Sequence, residues 1–335
     1  MNLYSIKIYR LFTLFLLLSL SCSEQKPEPT MEIQKNKKVV IAHRGASGYL
    51  PEHTLQAKAM AYAMGADYLE QDIVLSKDNI PIVIHDIHLE TVTDVAQKFP
   101  KKKRDDGRFY VIDFTFEELK QLNVSERFDP ATNKAVFPNR FPVFTATFKL
   151  HSLQEEIEFI QGLNKSTGNN MGIYPEIKEP EFHRKEGKDI SKIVLEVLND
   201  YGYKTKKDNC ILQCFNADEL KRIRNKLKCE LFLVQLMEFK SDEKLEEIAA
   251  FADGIGPWIP QIIKGKENGK WQITDLVANA HKLNLKVHAY TFRADQLDGF
   301  DSFEALLQVA LYEANVDGVF TDFPDKVVAF IGKRE

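Results

Sequence analysis

The chain has 335 residues, of which 44% are hydrophobic, so it can bury one large core. Its 45 basic and 49 acidic side chains give a formal net charge of −4 at pH 7. A protein that binds nucleic acid through electrostatics has a net basic surface, and this charge balance therefore argues against nucleic acid as a partner. Single α/β barrels commonly reach this length, so the length does not require two domains.

The first 22 residues have the features of an export signal. Lys7 and Arg10 precede an apolar run over residues 11–20, and a small-residue cleavage zone follows it. The apolar run is too short to span a bilayer, which requires about 20 residues. We therefore expect residues 1–22 to be a signal peptide and the protein to be exported.

Cys22 follows small residues and resembles the cysteine of a bacterial lipobox, which becomes the lipidated first residue of the mature protein. Ser19 departs from that pattern, because an aliphatic residue is usual at this position. Cleavage without lipid attachment, giving a free periplasmic protein, is the alternative. We expect a lipid anchor on Cys22, a flexible polar tether over residues 23–38, and a location in the periplasm or at the outer membrane.

From residue 39 onwards, short β-like runs alternate with amphipathic helical stretches of about 10–15 residues. This alternation is typical of parallel βαβ units, and eight such units close a (β/α)8 TIM barrel of the α/β class. The predicted helical stretches cover residues 53–65, 152–163, 190–202, 217–227, 274–284 and 303–315. The predicted strands cover residues 39–43, 68–75, 80–85, 172–177, 210–215, 231–236, 253–257, 286–292 and 316–322.

Nine strand candidates are one more than the barrel needs, and we expect the shortest, residues 253–257, to lie outside it. Only four residues, SKDN, separate strands 68–75 and 80–85, so a short irregular connection must replace a helix there. The alternation stops at about residues 89–150. This segment is predicted to form a small subdomain inserted after the third strand, within a barrel domain over residues 39–335.

Polar side chains unsuited to a core end four successive predicted strands. The carboxyl ends of the strands meet at one face of a barrel, and that face holds the active site. We therefore expect these side chains to form one site. They are His43, Arg44, Glu70, Asp72, His85, Asp86, Glu176 and Lys178.

Three of these residues are candidate metal ligands. Glu70, Asp72 and Glu176 would bring three carboxylates to one point, where a cation would relieve their repulsion. Hard oxygen ligands without cysteine suit Ca²⁺ or Mg²⁺ better than zinc. Salt bridges from these carboxylates to Arg44 or Lys178 are the alternative interpretation.

The remaining residues of the set suit phosphoester chemistry. His43 and His85 are acid–base candidates, because histidine titrates near neutral pH. Arg44 offers a planar fork that matches phosphate, and Lys178 offers a mobile point charge. The small residues that follow Arg44, such as Gly45, are expected to leave room for a substrate to approach the backbone.

Several segments carry a resemblance to a known family, namely AHRGASGYLPEHTLQAKAMAYAMGADYLEQDIVLSKD, IVIHD, GIYPEIK, LQCFNADELKRI and GVFTDFPDK. They are similar to bacterial glycerophosphodiester phosphodiesterases of the exported, periplasmic branch. The resemblance extends from about Val39 to the C-terminus. It implies a divalent cation, Ca²⁺ more than Mg²⁺, and hydrolysis of glycerophosphocholine or glycerophosphoethanolamine to sn-glycerol 3-phosphate and an alcohol.

The resemblance also implies roles for individual residues. His43 and His85 correspond to the catalytic histidines of the family, and Glu70, Asp72 and Glu176 to its metal ligands. The positions that match its substrate contacts, or would lie near the glycerol or alcohol, are Arg44, Glu52, Lys178, Phe215, Trp258 and Tyr290.

Two other functions remain open from the sequence. A phospholipase D of the sphingomyelinase type resembles the same barrel and motifs, although the long insertion and the PEHT loop favour the glycerophosphodiesterase. A surface lipoprotein whose main role is to bind a host protein is the second alternative, and the intact set of catalytic residues argues against it. The small-molecule diester is the predicted partner, and the sequence predicts no oligomeric state.

Overall fold

Eight parallel strands close into a barrel in the computed structural model, which describes residues 37–238 and 244–333. The first strand pairs with both the second and the eighth, with Ile41 opposite Tyr68 and Val40 opposite Val319. These pairings confirm the predicted TIM barrel. In chain order the barrel strands are Val39–Ala42, Tyr68–Leu75, Gly172–Ile177, Ile211–Cys214, Phe232–Met237, Gly254–Pro257, Lys286–Phe292 and Gly318–Thr321.

Helices follow the strands and share the main hydrophobic core with the outward-facing strand residues. Helix Leu153–Thr167 illustrates how the sequence sets the ends of these helices. It begins after Ser152, whose hydroxyl accepts a hydrogen bond from the Glu155 N–H at 3.1 Å, and it ends at Gly168 with φ at +77°. The helices around the barrel are Leu55–Ala63, Leu153–Thr167, Pro180–Lys185, Ile190–Asp200, Ala217–Asn225, Leu245–Ala249, Ile259–Ile262, Leu276–Lys282, Phe303–Gln308 and Pro324–Gly332, with a π-turn at Val309–Glu313.

A separate small cluster fills the barrel interior. Successive residues of a strand point to opposite faces of the sheet, and residues next to the cluster members along the strands belong to the outer core. Different barrel strands contribute one residue each, so the interior is packed with side chains and the open space lies at the barrel end. The members of the cluster are Ile41, Tyr174, Ile211, Val234 and Phe320.

The expectation that residues 253–257 lie outside the barrel is wrong. Strand Gly254–Pro257 is the sixth barrel strand, between the fifth and the seventh. It is short and glycine-rich because its neighbours approach closely: a Cβ on Gly254 would lie 2.8 Å from the backbone oxygen of Lys286. Of the nine predicted strands, the one outside the barrel is Pro81–Val83, which pairs antiparallel with the second barrel strand. Four connecting residues allow such a return but no crossover helix.

The inserted segment follows this antiparallel strand and precedes helix Leu153–Thr167, so it lies between the second and third barrel strands. Its apolar side chains form a second core that includes Val74 and Ile82 of the strand pair beneath it. Most of its backbone is irregular. Its regular elements are helices Val95–Lys98 and Phe116–Leu119, 3₁₀ turns Pro100–Lys102 and Val111–Asp113, and the paired strands Phe128–Asp129 and Lys134–Ala135. A further hairpin, Ile263–Glu267 with Lys270–Ile273, lies after the sixth barrel strand.

Within the described ranges, no helix has the length and apolar character needed to cross a membrane. The predicted signal peptide, the lipid-attachment site at Cys22 and all but the last two residues of the predicted tether lie outside the described residues.

Candidate active site

The side chains predicted at the strand ends, except Asp86, line one cavity of about 240 Å³ at the carboxyl end of the barrel. Glu52, a site residue implied by the resemblance, does not line this cavity either and lines an adjoining one instead. We call the first cavity the barrel-mouth cavity. The predicted residues that line it are His43, Arg44, Glu70, Asp72, His85, Glu176, Lys178, Phe215, Trp258 and Tyr290.

His43 follows the first barrel strand and is oriented by a carboxylate. Its Nδ1 lies 2.6 Å from Oδ1 of Asp322, which follows the eighth barrel strand. Arg140 and Arg293 each donate to the other oxygen of Asp322 at 2.8 Å. Burial lowers the pKa of His43 to about 4, and the charge of Arg44 contributes. The neutral ring therefore donates Nδ1–H to Asp322, which leaves Nε2 able to accept a proton.

His85 follows strand Pro81–Val83 and is oriented by a carboxylate in the same way as His43. Its Nδ1 lies 2.6 Å from Oδ1 of Asp86, and Arg127 donates to Oδ2 of that carboxylate at 2.7 Å. Burial lowers the pKa of His85, with a further contribution from Arg44. Each of the two histidines is thus held by a carboxylate that is itself held by arginine.

Arg44 ties the first strand to the acidic residues of the site. Its left-handed backbone, with φ at +59°, accompanies a hydrogen bond from its backbone N–H to Oε2 of Glu70 at 2.5 Å. Its guanidinium donates to Glu52 at 2.9 Å and lies 3.6 Å from Asp72. Although burial opposes ionisation, Arg127 and Arg44 hold the pKa of Glu52 well below its usual value. Glu52 therefore acts as the carboxylate that fixes these two arginines.

Two of the small residues after Arg44, Gly45 and Gly48, are packed closely against their neighbours. Gly45 has φ at +86°, and a Cβ there would lie 2.8 Å from the backbone carbon of Ala57 in the following helix. A Cβ on Gly48 would lie 2.4 Å from the ring of Phe323. These glycines let the loop pack against its own neighbours and thereby fix Arg44.

The acidic residues converge as predicted from the strand order. Asp72 and Glu176 are directly opposite in the pairing of the second and third barrel strands. Lys178 Nζ lies 2.8 Å from Glu176 and 3.6 Å from Asp72. Burial and the nearby Asp72 raise the pKa of Glu70 well above its usual value. Burial raises the pKa of Glu176 to about 8 although Lys178 opposes this, and Asp72 adds to the rise.

A metal ion fits these donors. Ligand atoms of His53, Glu70 and Asp72 lie within 4.8 Å of one another, and His53 Nε2 is 2.8 Å from Oδ2 of Asp72. In the described part of the chain, the buried Oδ1 of Asp72 has no hydrogen-bond partner. An acidic cluster with an unsatisfied buried acceptor is the environment that a cation stabilises. Glu176, predicted as a ligand, lines the same cavity with one oxygen at Lys178.

Aromatic side chains form part of the wall of the barrel-mouth cavity. The rings of Phe215 and Tyr290 meet edge to face at 5.9 Å, and Lys178 Nζ lies 5.8 Å from the centre of the Phe215 ring. The Tyr290 hydroxyl donates to the carbonyl of Met237 at 2.7 Å, which fixes this ring. Trp258 lies at the rim and is 43% exposed. This wall can contact the carbon skeleton of a small ligand.

Several residues of the site were not singled out from the sequence. Asp322 could have been found, because it follows a barrel strand in the same way as His43. His53 was not among the predicted metal ligands, and its Nε2 lies 2.8 Å from Oδ2 of Asp72. Arg127 and Arg140 lie in the inserted segment, where no periodic pattern indicates their position.

A buried ionic network lies behind the acidic residues. Lys58 and Glu156 are both fully buried, and Lys58 Nζ donates to Oε1 of Glu156 at 2.8 Å. Lys58 also donates to the backbone carbonyl of Glu70. Gln71 donates to Oε1 of Glu156 at 2.8 Å, and His151 Nε2 lies 2.7 Å from its Oε2. This network fixes the strand that carries Glu70 and Asp72.

The sequence is similar to a known family and to characterised members of it. The model of the "Glycerophosphoryl diester phosphodiesterase family" matches residues 43–326. A glycerophosphodiester phosphodiesterase of Haemophilus influenzae is 43% identical over 342 residues, which cover 92% of this chain and 94% of that protein. A glycerophosphodiester phosphodiesterase of Treponema pallidum is 37% identical over 330 residues, with 89% and 93% covered.

Solved structures share the fold. An Oleispira antarctica phosphodiesterase in complex with the product sn-glycerol-3-phosphate has a TM-score of 0.63 at 23% identity, with 88% of this chain and 96% of that chain covered. A glycerophosphodiester phosphodiesterase from Agrobacterium tumefaciens has a TM-score of 0.59 at 19% identity, with 87% and 99% covered.

Proposed function

Since this chain belongs to the glycerophosphoryl diester phosphodiesterase family, we propose that it hydrolyses glycerophosphodiesters to sn-glycerol 3-phosphate and an alcohol. The observation that carries this proposal is the pair of buried histidines, His43 and His85, each fixed by a carboxylate and both lining the barrel-mouth cavity. Two oriented imidazoles beside cationic side chains suit proton transfer at a phosphodiester.

The two histidines divide the proton transfers. One accepts a proton from the attacking hydroxyl as its oxygen bonds to phosphorus. The other donates a proton to the alcohol oxygen as the bond between that oxygen and phosphorus breaks. His43 is suited to the first step, because burial keeps it neutral and Asp322 holds its Nδ1–H. The attacking hydroxyl is that of water or of the glycerol 2-position, and the latter gives a transient cyclic phosphate.

Cationic side chains bind the phosphate, and the aromatic wall binds the glycerol. Arg44 and Lys178 line the cavity, and Lys178 keeps its charge because, against the effect of burial, Glu176 and Asp72 raise its pKa. Phe215 and Tyr290 contact the glycerol carbons, with Trp258 at the rim, and Glu52 holds Arg44 in place. The phosphate-binding and glycerol-binding roles are inferred from the positions of Arg44, Lys178 and the aromatic residues on the wall of the barrel-mouth cavity.

A divalent cation, Ca²⁺ with Mg²⁺ as the alternative, is bound by Glu70 and Asp72, with Glu176 or His53 completing the donors. When bound, it supplies positive charge that stabilises the phosphoryl oxygens. The three carboxylates favour a hard cation that prefers oxygen ligands. The unsatisfied buried oxygen of Asp72 supports this assignment.

The test is the product formed from two diesters. The protein is incubated with glycerophosphocholine or sphingomyelin, with and without a chelator, and sn-glycerol 3-phosphate and free choline are measured. We expect sn-glycerol 3-phosphate from glycerophosphocholine, its loss with chelator and its return with Ca²⁺. Cleavage of sphingomyelin alone would show the phospholipase D type of activity, and cleavage of neither would favour a binding protein.

We also propose that the protein belongs to the exported branch of the family and is attached to a membrane, in the periplasm or at the outer membrane, by lipid on Cys22. The basic residues, the apolar run and the lipobox-like cysteine of the N-terminus support this. The test is incorporation of labelled fatty acid into the wild-type protein and into Cys22→Ser. Equal labelling of both, or export without any label, would refute attachment at Cys22.

A further inference from the structure

A second cavity of about 250 Å³ adjoins the barrel-mouth cavity, and we call it the insertion cavity because the inserted segment supplies part of its wall. Four residues line both this cavity and the barrel-mouth cavity, namely His43, Arg44, His85 and Arg293. The inserted segment contributes Glu126 and Phe137, among others. A phosphorus atom held between the two histidines would therefore have a cavity on each side, one for each of its two ester groups.

The arginines of the insertion cavity are already paired with carboxylates. Arg127 donates to Glu52 at 2.6 Å, and Arg140 and Arg293 donate to Asp322 at 2.8 Å each. Arg44, the fourth arginine of this wall, is likewise bonded to Glu52. Arg127 also donates to Asp86 at 2.7 Å and Arg140 to Asp295 at 2.8 Å, so four carboxylates balance the four arginines. The cavity is therefore poorly suited to a second phosphate group.

Glu126 differs from the other carboxylates of this wall. Its side chain lines the cavity and is 3% exposed, and its Oε2 has no hydrogen-bond partner among the residues that the structure describes. Burial raises the pKa of Glu126 to about 8, and the negative charge of Glu52 adds to the rise. An unsatisfied buried carboxyl costs free energy that a ligand with a hydrogen-bond donor would recover.

We propose that the insertion cavity binds the departing alcohol and that Glu126 accepts a hydrogen bond from an N–H or O–H group on that alcohol. This proposal rests on the proposed hydrolysis of glycerophosphodiesters. Phe215 and Tyr290, proposed above to contact the glycerol, line the barrel-mouth cavity, which leaves the insertion cavity for the other ester group. Glu126 then selects substrates by their alcohol: the ammonium of ethanolamine has N–H donors, and the trimethylammonium of choline has none.

The test compares kcat/KM for glycerophosphoethanolamine and glycerophosphocholine in wild type, Glu126→Leu and Glu126→Gln. The wild type should prefer the ethanolamine diester, and Glu126→Leu should lower the ratio of the two kcat/KM values by about 10- to 100-fold, as expected for a lost hydrogen bond to a charged group. Glu126→Gln keeps an acceptor and should retain part of the preference. Glu117→Leu, at an exposed glutamate of the same inserted segment, is the matched control and should keep the wild-type ratio.

The ratio separates selection from a structural role, because a structural role lowers both kcat/KM values equally. If Glu126→Leu does not fold, a reduced ratio in Glu126→Gln supports the proposal. A wild-type protein that hydrolyses both diesters with a ratio unchanged in the folded Glu126 variants overturns this proposal alone. A wild-type protein that hydrolyses neither overturns it together with the proposed function.

Discussion

Replacement of Glu156 by glutamine should destabilise the protein by about 3 kcal/mol at neutral pH, because it removes one charge from a fully buried ion pair. Lys58 is then left in the core with a neutral amide as its partner. Lys58 also donates to the backbone carbonyl of Glu70. The loss of stability is therefore expected to affect the strand that carries the candidate metal ligands.

The magnitude follows from the pKa of Glu156. Although burial opposes ionisation, Lys58 and His151 lower this pKa from 4.5 to about 2. At about 1.4 kcal/mol for each pKa unit, the ionised carboxylate contributes about 3 kcal/mol to folding. Breaking a buried ion pair by removing one partner costs about 3–5 kcal/mol, which agrees with this value. Because the folded pKa is the lower one, the contribution is complete above about pH 4.5 and disappears as the pH falls through 2.

Urea unfolding followed by circular dichroism, at pH 7 and pH 3, measures this contribution. The free energy of unfolding of Glu156→Gln should be about 3 kcal/mol below that of the wild type at pH 7, and the difference should fall to less than half at pH 3. Glu158→Gln, at an exposed position of the same helix, is the control and should change stability by no more than about 0.5 kcal/mol. Equal stability of Glu156→Gln and wild type at pH 7, or the same difference at both pH values, would refute the reasoning.

Three further substitutions test other parts of the account. Asp322→Asn removes the negative charge of this side chain and leaves one acceptor oxygen for His43, Arg140 and Arg293. It should therefore disturb the hold on His43 Nδ1–H and lower kcat for glycerophosphocholine by about 10²-fold or more, so an unchanged kcat would contradict the role of this pair. Gly45→Ala should lower the free energy of unfolding, measured in urea, by about 1–3 kcal/mol, because its Cβ would lie 2.8 Å from helix backbone. Gly187→Ala is the control and should lower it by less, because Gly187 has a similar positive φ but no atom within 4 Å of the added Cβ. Trp258→Ala should raise KM by about three- to tenfold with kcat retained, because this rim side chain contributes to substrate binding and takes no part in the proton transfers. A loss confined to kcat would disprove that role.

The sequence was sufficient to locate most of the candidate site because one physical rule governs it. Parallel strands bring their carboxyl ends together, so His43, Asp72 and Glu176 could be placed in one cavity before any contact was known. His85 lines the same cavity but follows the antiparallel strand Pro81–Val83, to which this rule does not apply. The same rule applies to Asp322, which follows the last barrel strand and was nevertheless overlooked. Its role depends on contacts with two arginines that are distant in the chain.

The errors have local physical causes. Strand Gly254–Pro257 is short and poor in large apolar residues because neighbouring strands approach its glycines, so it was taken for the surplus strand. Strand Pro81–Val83 has a strong β pattern, yet its connection permits only antiparallel return. Arg127, Arg140 and Glu126 belong to an irregular insertion whose course is set by tertiary packing, and no sequence period indicates which of its side chains reach the site.

Turnover of glycerophosphocholine by His43→Gln and His85→Ala, with Ca²⁺ present, tests the central claim most directly. The claim is that two histidines, each fixed by a carboxylate, transfer the protons in hydrolysis of the diester. Release of sn-glycerol 3-phosphate by the wild type, with kcat lowered by at least about 10²-fold in each folded variant, is the predicted result. Near-normal kcat in either variant would contradict it.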